Sequence, residues 1–388
     1  MVNLGSVAPA LLEDWLRERY FTVPIDVSSS GVRNYSLGEL SELVGLDDGE
    51  LSRTVFRDSP GVGCEGLREA LAARYAPGAA GRVMVTHGSS EAIFLALAAL
   101  LEPGDEVVVL APAYQSLSSI AEALGATLKV WRLRPENDFR PDPRELRALL
   151  DARTKAVIVN FPHNPTGTTL DRPAYRELLE LVSAHGCHLL WDGAFSDLVY
   201  DAPSLPDPTT ELERCVSFGT LSKAYGLPGL RVGWCFAPPE LLTGMARIRD
   251  YLTISTSPLT ELIATRVVEN ADRVIGPLLR TAAANREAFL TWVAENADIV
   301  ACAPPQGGVS AFPQLFGVPA VDALCEDLAV DRGVLVVPGS CFGHPDHIRI
   351  GFGGDRTEFD AGLTAIAEAI RAGGANRVRR VRDILSPG

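Results

Sequence analysis

The chain has 388 residues, 47% apolar and 22% charged, with a formal net charge of −14. Its length suits two domains, or one large domain with a smaller companion, and its apolar share excludes wholesale disorder. The acidity argues against nucleic acid or an anionic membrane as a partner for the body of the protein. One basic concentration, Arg377, Arg379, Arg380 and Arg382, reads as a solvated helix end or a frayed terminus rather than a nucleic-acid tail. The N-terminus lacks a basic region followed by an apolar run, so no signal peptide is expected. No window reaches the ~18 apolar residues of a membrane span. Seven cysteines are scattered singly, without a CxxC. No disulfide framework and no metal site is therefore expected, and a reducing cytoplasm fits.

In chain order, LLEDWLRERY is an amphipathic helix, and IDVSSSGVRNYSLGEL is too rich in Ser and Gly for regular structure. From about residue 80 to 240, strands and helices alternate. RVMVTHG (82–88) is a strand ending at Gly88, and SSEAIFLALAALLEPG a serine-capped helix. EVVVLAP (106–112) and TLKVWRL are strands separated by the short helix LSSIAEALGA. DPRELRALL (142–150) is a helix, KAVIVNFP (155–162) a strand, DRPAYRELLELVSAHG (171–186) a helix and CHLLWD (187–192) a strand. CVSFGT (215–220) and RVGWCFAP (231–238) follow as strands. Strands apolar throughout, separated by helices, predict an α/β fold with a mostly parallel sheet covered on both faces. A long helical stretch then leads to QGGVSAFPQLF, GVLVVPGS and HIRIGFG, read as strands, with VDALCEDLAVDR and EFDAGLTAIAEAIRAGG as helices. The division expected is an N-terminal segment, 1–45, that joins the small domain, a large domain at 46–284 and a small C-terminal domain at 285–388.

Ligands of parallel sheets bind at the carboxyl ends of strands. Here those ends carry Gly88, Pro112, Asn160, Asp192 and Thr220. The chain has three lysines, and Lys223 alone follows such an end, in SFGTLSKAYGLPGLRVG. An arginine-rich chain that keeps lysine there suggests an amine able to lose its proton, which arginine cannot do. A lone lysine among hydroxyls, with an arginine eight residues on, suits Schiff-base chemistry with a phosphorylated aldehyde, pyridoxal 5′-phosphate. Thr220, Ser222 and Arg231 would then bind phosphate, with Gly88, Ser89 and Ser90 as a second cradle at a helix start. Asp192 would keep the ring nitrogen protonated, Asn164 would donate to the phenolic oxygen and Tyr114 would stack on the ring. Each residue alone also has a plainer role, as helix cap, turn former or core; four strand ends of one sheet carry the combination.

NPTG at 164–167, TLSK at 220–223 with G-x-R-x-G at 229–233, and HIRIGFG at 347–353 resemble the class I/II aminotransferase superfamily, fold type I. The resemblance implies a homodimer with its active site at the subunit interface and an N-terminal segment folded over that site. It implies Lys223 as the cofactor's Schiff-base lysine and proton shuttle, Asp192 on the pyridine nitrogen, and Asn164 near both cofactor and substrate. Arg349 is implied to clamp the substrate α-carboxylate, with Gly31 and Ser30 edging the cleft. Two positions depart from the family. Phe195 replaces a tyrosine that reaches the phenolic oxygen, and Phe56 or Asp58 stands near a second tyrosine that reaches the partner's phosphate. Further stretches, including FRDSP, NFPHNP and LLWDGAF, resemble a branch that builds cyclic arginine-derived amino acids for antibiotics. That implies 3-hydroxyarginine as substrate, with Asp26, Ser28, Ser29, Ser30, Asn34 and Asp58 as candidates for its guanidine. Plain amino-group transfer is the alternative. A regulatory binding domain is a third, disfavoured because Lys223, Asp192, Asn164 and Arg349 are all present.

Overall fold

A computed structural model describes residue 5 and residues 7–385, with side chains as far as residue 372. The side chains of Arg377, Arg379, Arg380 and Arg382 lie outside the described residues. Seven strands form the main sheet: β1 (Val83–Thr86), β2 (Glu106–Ala111), β3 (Thr127–Arg132), β4 (Thr154–Asn160), β5 (His188–Asp192), β6 (Cys215–Thr220) and β7 (Gly233–Phe236). Their order is β1-β7-β6-β5-β4-β2-β3. Pairing is parallel from β6 through β3, and β7 is antiparallel to both neighbours. The mostly parallel α/β sheet is therefore as expected.

Alternation along the strands divides the core between the two faces. Val157 and Val159 pack on one face with Leu178 and Val182 of the helix Arg172–His185. Ala156 and Ile158 pack on the other with Ile93 and Leu97 of the helix Gly88–Leu100. With helices on both faces, the strands can be apolar throughout, and their carboxyl ends are where polar side chains collect.

The antiparallel β7 shapes the site. Parallel neighbours need a long crossover, whereas an antiparallel pair can be joined directly. Residues 221–232 make that direct link between β6 and β7. Both ends of the link, Thr220 and Gly233, are opposite each other. Gly233 also faces Thr86 across β1. A Cβ on Gly233 would collide with the backbone of Gly88 and Ser89. The missing side chain lets the start of the helix Gly88–Leu100 dock against the loop that carries Lys223 and Arg231.

In the C-terminal part, the strand Ile348–Gly351 lies between Ser310–Ala311 and Val337–Pro338, antiparallel to both. The stretch read as one strand, GVLVVPGS, divides into Val334–Leu335 and Val337–Pro338, which pair with different partners. The N-terminal segment is stitched to this part: Ile25–Asp26 pairs parallel with Val334–Leu335. Gly351 N then donates to Val27 O, and Arg33 N to Gly353 O. The expected boundary at 284/285 falls within one continuous helix, Ala271–Glu295.

One local expectation fails. Regular structure resumes inside SLGEL: α-helix Leu37–Val44 starts from Ser36, whose hydroxyl accepts from Glu39 N while the Glu39 carboxylate accepts from Ser36 N. This reciprocal cap satisfies two otherwise orphaned donors, and an S-x-x-E spacing announces it.

Candidate active site

The carboxyl ends of β4, β5 and β6 open into a cavity of about 440 Å³. Lys223, Asp192, Asn164, Tyr114, Ser89, Ser90, Thr220, Ser222, Arg231, Arg349, Gly31, Ser30 and Phe195 all line it. Gly88 stands just behind Ser89, at a φ of +76° that favours glycine, and the Arg231 guanidinium lies against its Cα. Arg231 itself has a φ of +53°. A non-glycine residue held in that region at a site is strained backbone that the surrounding packing must enforce.

Asp192 ends β5 beside Asn160 of β4. Asn160 Nδ2 donates to the Asp192 main-chain carbonyl at 2.9 Å, while Asn160 Oδ1 accepts from Asn164 N at 2.9 Å. Asn160 is thus a positioning residue that fixes the Asp192 strand end and the Asn164 loop together. The Asp192 carboxylate accepts from Ala194 N at 3.1 Å. Burial pushes this carboxyl up to about 6, and the Ala194 N–H and the Lys223 charge pull it back only in part. Lys223 Nζ donates to Ser30 Oγ at 2.8 Å. Burial lowers its amine to about 8; the Arg349 charge pushes the same way, and Glu13 and Asp192 oppose it. The Lys223 amine lies 5.7 Å from the Phe195 ring centre, so Phe195 is a wall of the cavity without a hydroxyl to offer.

At the end where phosphate would bind, Thr220 Oγ1 lies 3.0 Å from Ser222 Oγ, and Ser222 N donates to Thr220 Oγ1 at 3.1 Å. Arg231 Nη1 donates to Pro228 O at 3.1 Å and reaches Ser222 Oγ at 3.5 Å. Arg349 Nη1 donates to Asn164 Oδ1 at 3.1 Å and Nη2 to Ser28 O at 2.8 Å. Its Nε is buried without a partner, a donor in want of an anion.

These features fit pyridoxal phosphate. A buried carboxylate lacks a full counter-charge where a ring nitrogen would sit, and an amine of lowered basicity faces it. Hydroxyls, an arginine and a helix start gather at one end, as a phosphate dianion requires. Of the guanidine candidates, Ser29, Ser30 and Asn34 line the cavity. Asp26 is engaged with Ser28 N and Oγ instead, and Asp58 lines a separate surface cavity with Glu50 and Arg266. Phe56 is 77% exposed, away from this protomer's site.

Several site residues were not legible. The helix Leu11–Arg19 and its continuation bring Leu12, Glu13, Leu16 and Tyr20 to the cavity. Tyr114 Oη, expected to stack on a ring, donates to Glu13 Oε1 at 3.2 Å. Below the Lys223 loop, the Tyr225 and Tyr75 hydroxyls are 2.7 Å apart, and Tyr75 Oη donates to Asp197, which pairs with Arg74. Elsewhere, His344, Asp346 and His347 lie close together. Asp346 is held there by His347 Nδ1 and Gln314 Nε2.

The fold and this constellation define a cofactor-dependent enzyme of the fold type I class. The family description "Aminotransferase class I and II" matches residues 48–366. The chain belongs to that family, whose members work with pyridoxal phosphate. Capreomycidine synthase of Streptomyces vinaceus is 54% identical over 367 residues, 94% of each chain. The solved structure of OrfR, a PLP-dependent cyclase, superposes with a TM-score of 0.91 at 43% identity, covering 94% of this chain and 97% of that one. A PLP-dependent aminotransferase from Streptococcus suis superposes with a TM-score of 0.90 at 26% identity, over 95% of this chain and 98% of that one.

His163 holds the loop that presents Asn164. Its Nε2–H donates to Pro112 O, and its Nδ1 accepts from Thr166 Oγ1, each at 2.7 Å. Burial lowers its imidazole to about 4. The folded chain keeps it neutral while the unfolded chain protonates it near ~6.5, so stability is lost as pH falls from about 6.5 to 4. The loss attributable to His163 is about 3 kcal/mol over that window. His163→Gln removes the proton site, so urea unfolding of the variant should fall less steeply over the same pH range than that of the parent. Equal slopes would exclude His163 as the source.

Proposed function

We propose that this enzyme converts (2S,3S)-3-hydroxyarginine to the cyclic amino acid capreomycidine. The observation that carries this reading is the 54% identity, over 94% of both chains, with capreomycidine synthase. In the reaction the Cβ–O bond breaks, water leaves, and a nitrogen of the substrate's own guanidine bonds to Cβ and closes a six-membered ring. The α-amino group stays in place.

Pyridoxal 5′-phosphate is the cofactor; when bound, it supplies an electron sink that makes the substrate Cα–H acidic. Lys223 would anchor it, with Thr220, Ser222, Arg231, Gly88, Ser89 and Ser90 placed to hold the phosphate, Asp192 to pair with the ring nitrogen, and Asn164 and Tyr114 to flank the ring. Arg349 grips the substrate α-carboxylate with help from Asn164, and its unpartnered Nε is a ready donor for it. The Lys223 amine carries the proton at Cα, and a basicity near 8 suits both removing and returning it. Ser30 holds that amine, and Gly31 lines the cleft beside Ser222. A tethered guanidine needs no bimolecular encounter, which strongly favours ring closure. Amino-group transfer is the second reading, favoured by 28% identity to an arginine–pyruvate transaminase of Pseudomonas aeruginosa over 70% of each chain.

The working form is a homodimer in the cytoplasm. Val55, Phe56, Tyr251 and Ile254 are 70%, 77%, 91% and 57% exposed on two adjoining segments. Arg249 ties the second segment to the stretch after Phe56 by donating to Gly61 O, and to β1 by donating to Val85 O. An apolar face of this kind suits a second copy. No described helix is long and apolar enough to cross a membrane.

Borohydride reduction of the cofactor-loaded enzyme should label the peptide containing TLSKAY; label on Lys129 or Lys155 would overturn the Lys223 assignment. With 3-hydroxyarginine, the product should be cyclic and retain its α-nitrogen, as mass spectrometry of a 15N-labelled substrate reads. Stoichiometric keto acid without a ring product would establish transfer instead. In sedimentation, the protein should run at twice its 41.5 kDa chain mass, and Phe56→Asp should shift it toward one chain; a parent that sediments as a monomer contradicts the dimer.

A further inference from the structure

We infer that Glu13, on the N-terminal helix, is the residue that recognises the substrate's guanidino group. This rests on the arginine-derived substrate proposed above.

Two carboxylates line the cavity among the described residues, Asp192 and Glu13. Asp192 is buried at a strand end, committed to the cofactor side. Glu13 stands at the exposed mouth. The cavity's cations are Lys223, Arg231 and Arg349; in the function proposed above, Arg231 would meet the cofactor's phosphate and Arg349 the substrate carboxylate. A ligand held at one end by Arg349 and carrying a positive charge at the other needs an anion near the mouth, and Glu13 supplies it. Its charge acts on both Lys223 and Arg349, which places it within electrostatic reach of the residues that would hold the reacting end.

Glu13 is also held in position. Tyr114 Oη donates to its Oε1 at 3.2 Å, which leaves Oε2 open to a further donor. Leu12, Leu16 and Tyr20 sit at neighbouring positions on the same helical face and bring apolar wall beside it. The helix is pinned from both sides: Trp15 Nε1 donates to Val336 O at 2.9 Å, Arg19 pairs with Glu326 at 2.7 Å, and Gln115 Nε2 reaches Pro9 O at 3.1 Å. Ser29, Ser30 and Asn34 line the same cavity and add neutral hydrogen-bonding groups. The guanidinium stem would lie along Leu12 and Leu16 with its planar head on the carboxylate, a charge-assisted contact.

The test compares L-arginine with L-citrulline, its neutral ureido analogue, binding to the holoenzyme by calorimetry. The parent should bind L-arginine at least ~10-fold more tightly, the factor expected of one hydrogen bond to a charged group. If it shows no such preference, the arginine-derived substrate itself is wrong, whatever Glu13 does. Given that preference, Glu13→Gln keeps the acceptor for Tyr114 but removes the charge. It should weaken L-arginine roughly 10- to 100-fold and L-citrulline less than about threefold. Glu13→Asp, which keeps charge but withdraws it, should fall between. L-arginine binding unchanged in Glu13→Gln, or both ligands weakened equally, overturns the assignment; equal weakening is the mark of a merely structural role.

Discussion

Asp192 is a buried carboxylate with one hydrogen bond to its side chain, from Ala194 N, and burial alone lifts it toward neutrality. An ionised group placed there without a counter-charge costs several kcal/mol. The sheet nevertheless holds it firmly. β5 is central, Asp192 pairs with Asn160 on one side and Phe218 on the other, and Asn160 ties down its carbonyl. Such a position is stable as an anion when a cation completes it, and a protonated pyridine nitrogen is the cation that the proposed cofactor brings. Lys223 is held by Ser30 rather than by Asp192. In the function proposed, this leaves the lysine for proton movement and the aspartate for the ring.

The same economy of backbone shapes the end where a phosphate would bind. Because β7 runs antiparallel to β6, Lys223 and Arg231 hang from one direct link and emerge at one end of the sheet. The absence of side chains at Gly88 and Gly233 then lets a helix start approach that link. The helix start with Ser89 and Ser90 meets there the Thr220 and Ser222 hydroxyls and the Arg231 guanidinium, which lie far from it in sequence.

This explains what was legible and what was not. The apolar strands of the large sheet, Asp192 at a strand end, and Lys223 as a rare lysine among hydroxyls are local signals, and they placed the cavity. The antiparallel β7 was not distinguished from its parallel neighbours, because a strand buried on both faces has the same composition in either direction. Asn160 stood out only as a strand end, with turn former beside proline as its plainer role, and its tie to Asp192 depends on inter-strand register. Glu13 was hidden in an ordinary amphipathic helix with acidic and basic residues on its outer face. Nothing within LLEDWLRERY marks one acid as different; the contact with Tyr114, 101 residues away, does that. Asp26 attracted notice because it sits in a Ser-rich coil, yet its carboxylate is spent on its own turn.

The N-terminal segment thus does more than cover the site. It contributes Ser30 to the lysine, the Ser28 carbonyl to Arg349, and Glu13 to the mouth. Through Ile25, Val27 and Arg33 it is bonded to the C-terminal part, and through Pro9 and Glu13 to the Tyr114–Gln115 turn of the large sheet. A substrate spanning Arg349 and Glu13 would touch both attachments of one segment. Binding its two ends would therefore reinforce the docked N-terminal segment and help exclude water from the place where a tethered guanidine must outcompete it. In this arrangement specificity for a long cationic side chain and shielding of the reacting carbon arise from the same segment, since a shorter or neutral ligand would engage Arg349 without the Glu13 charge.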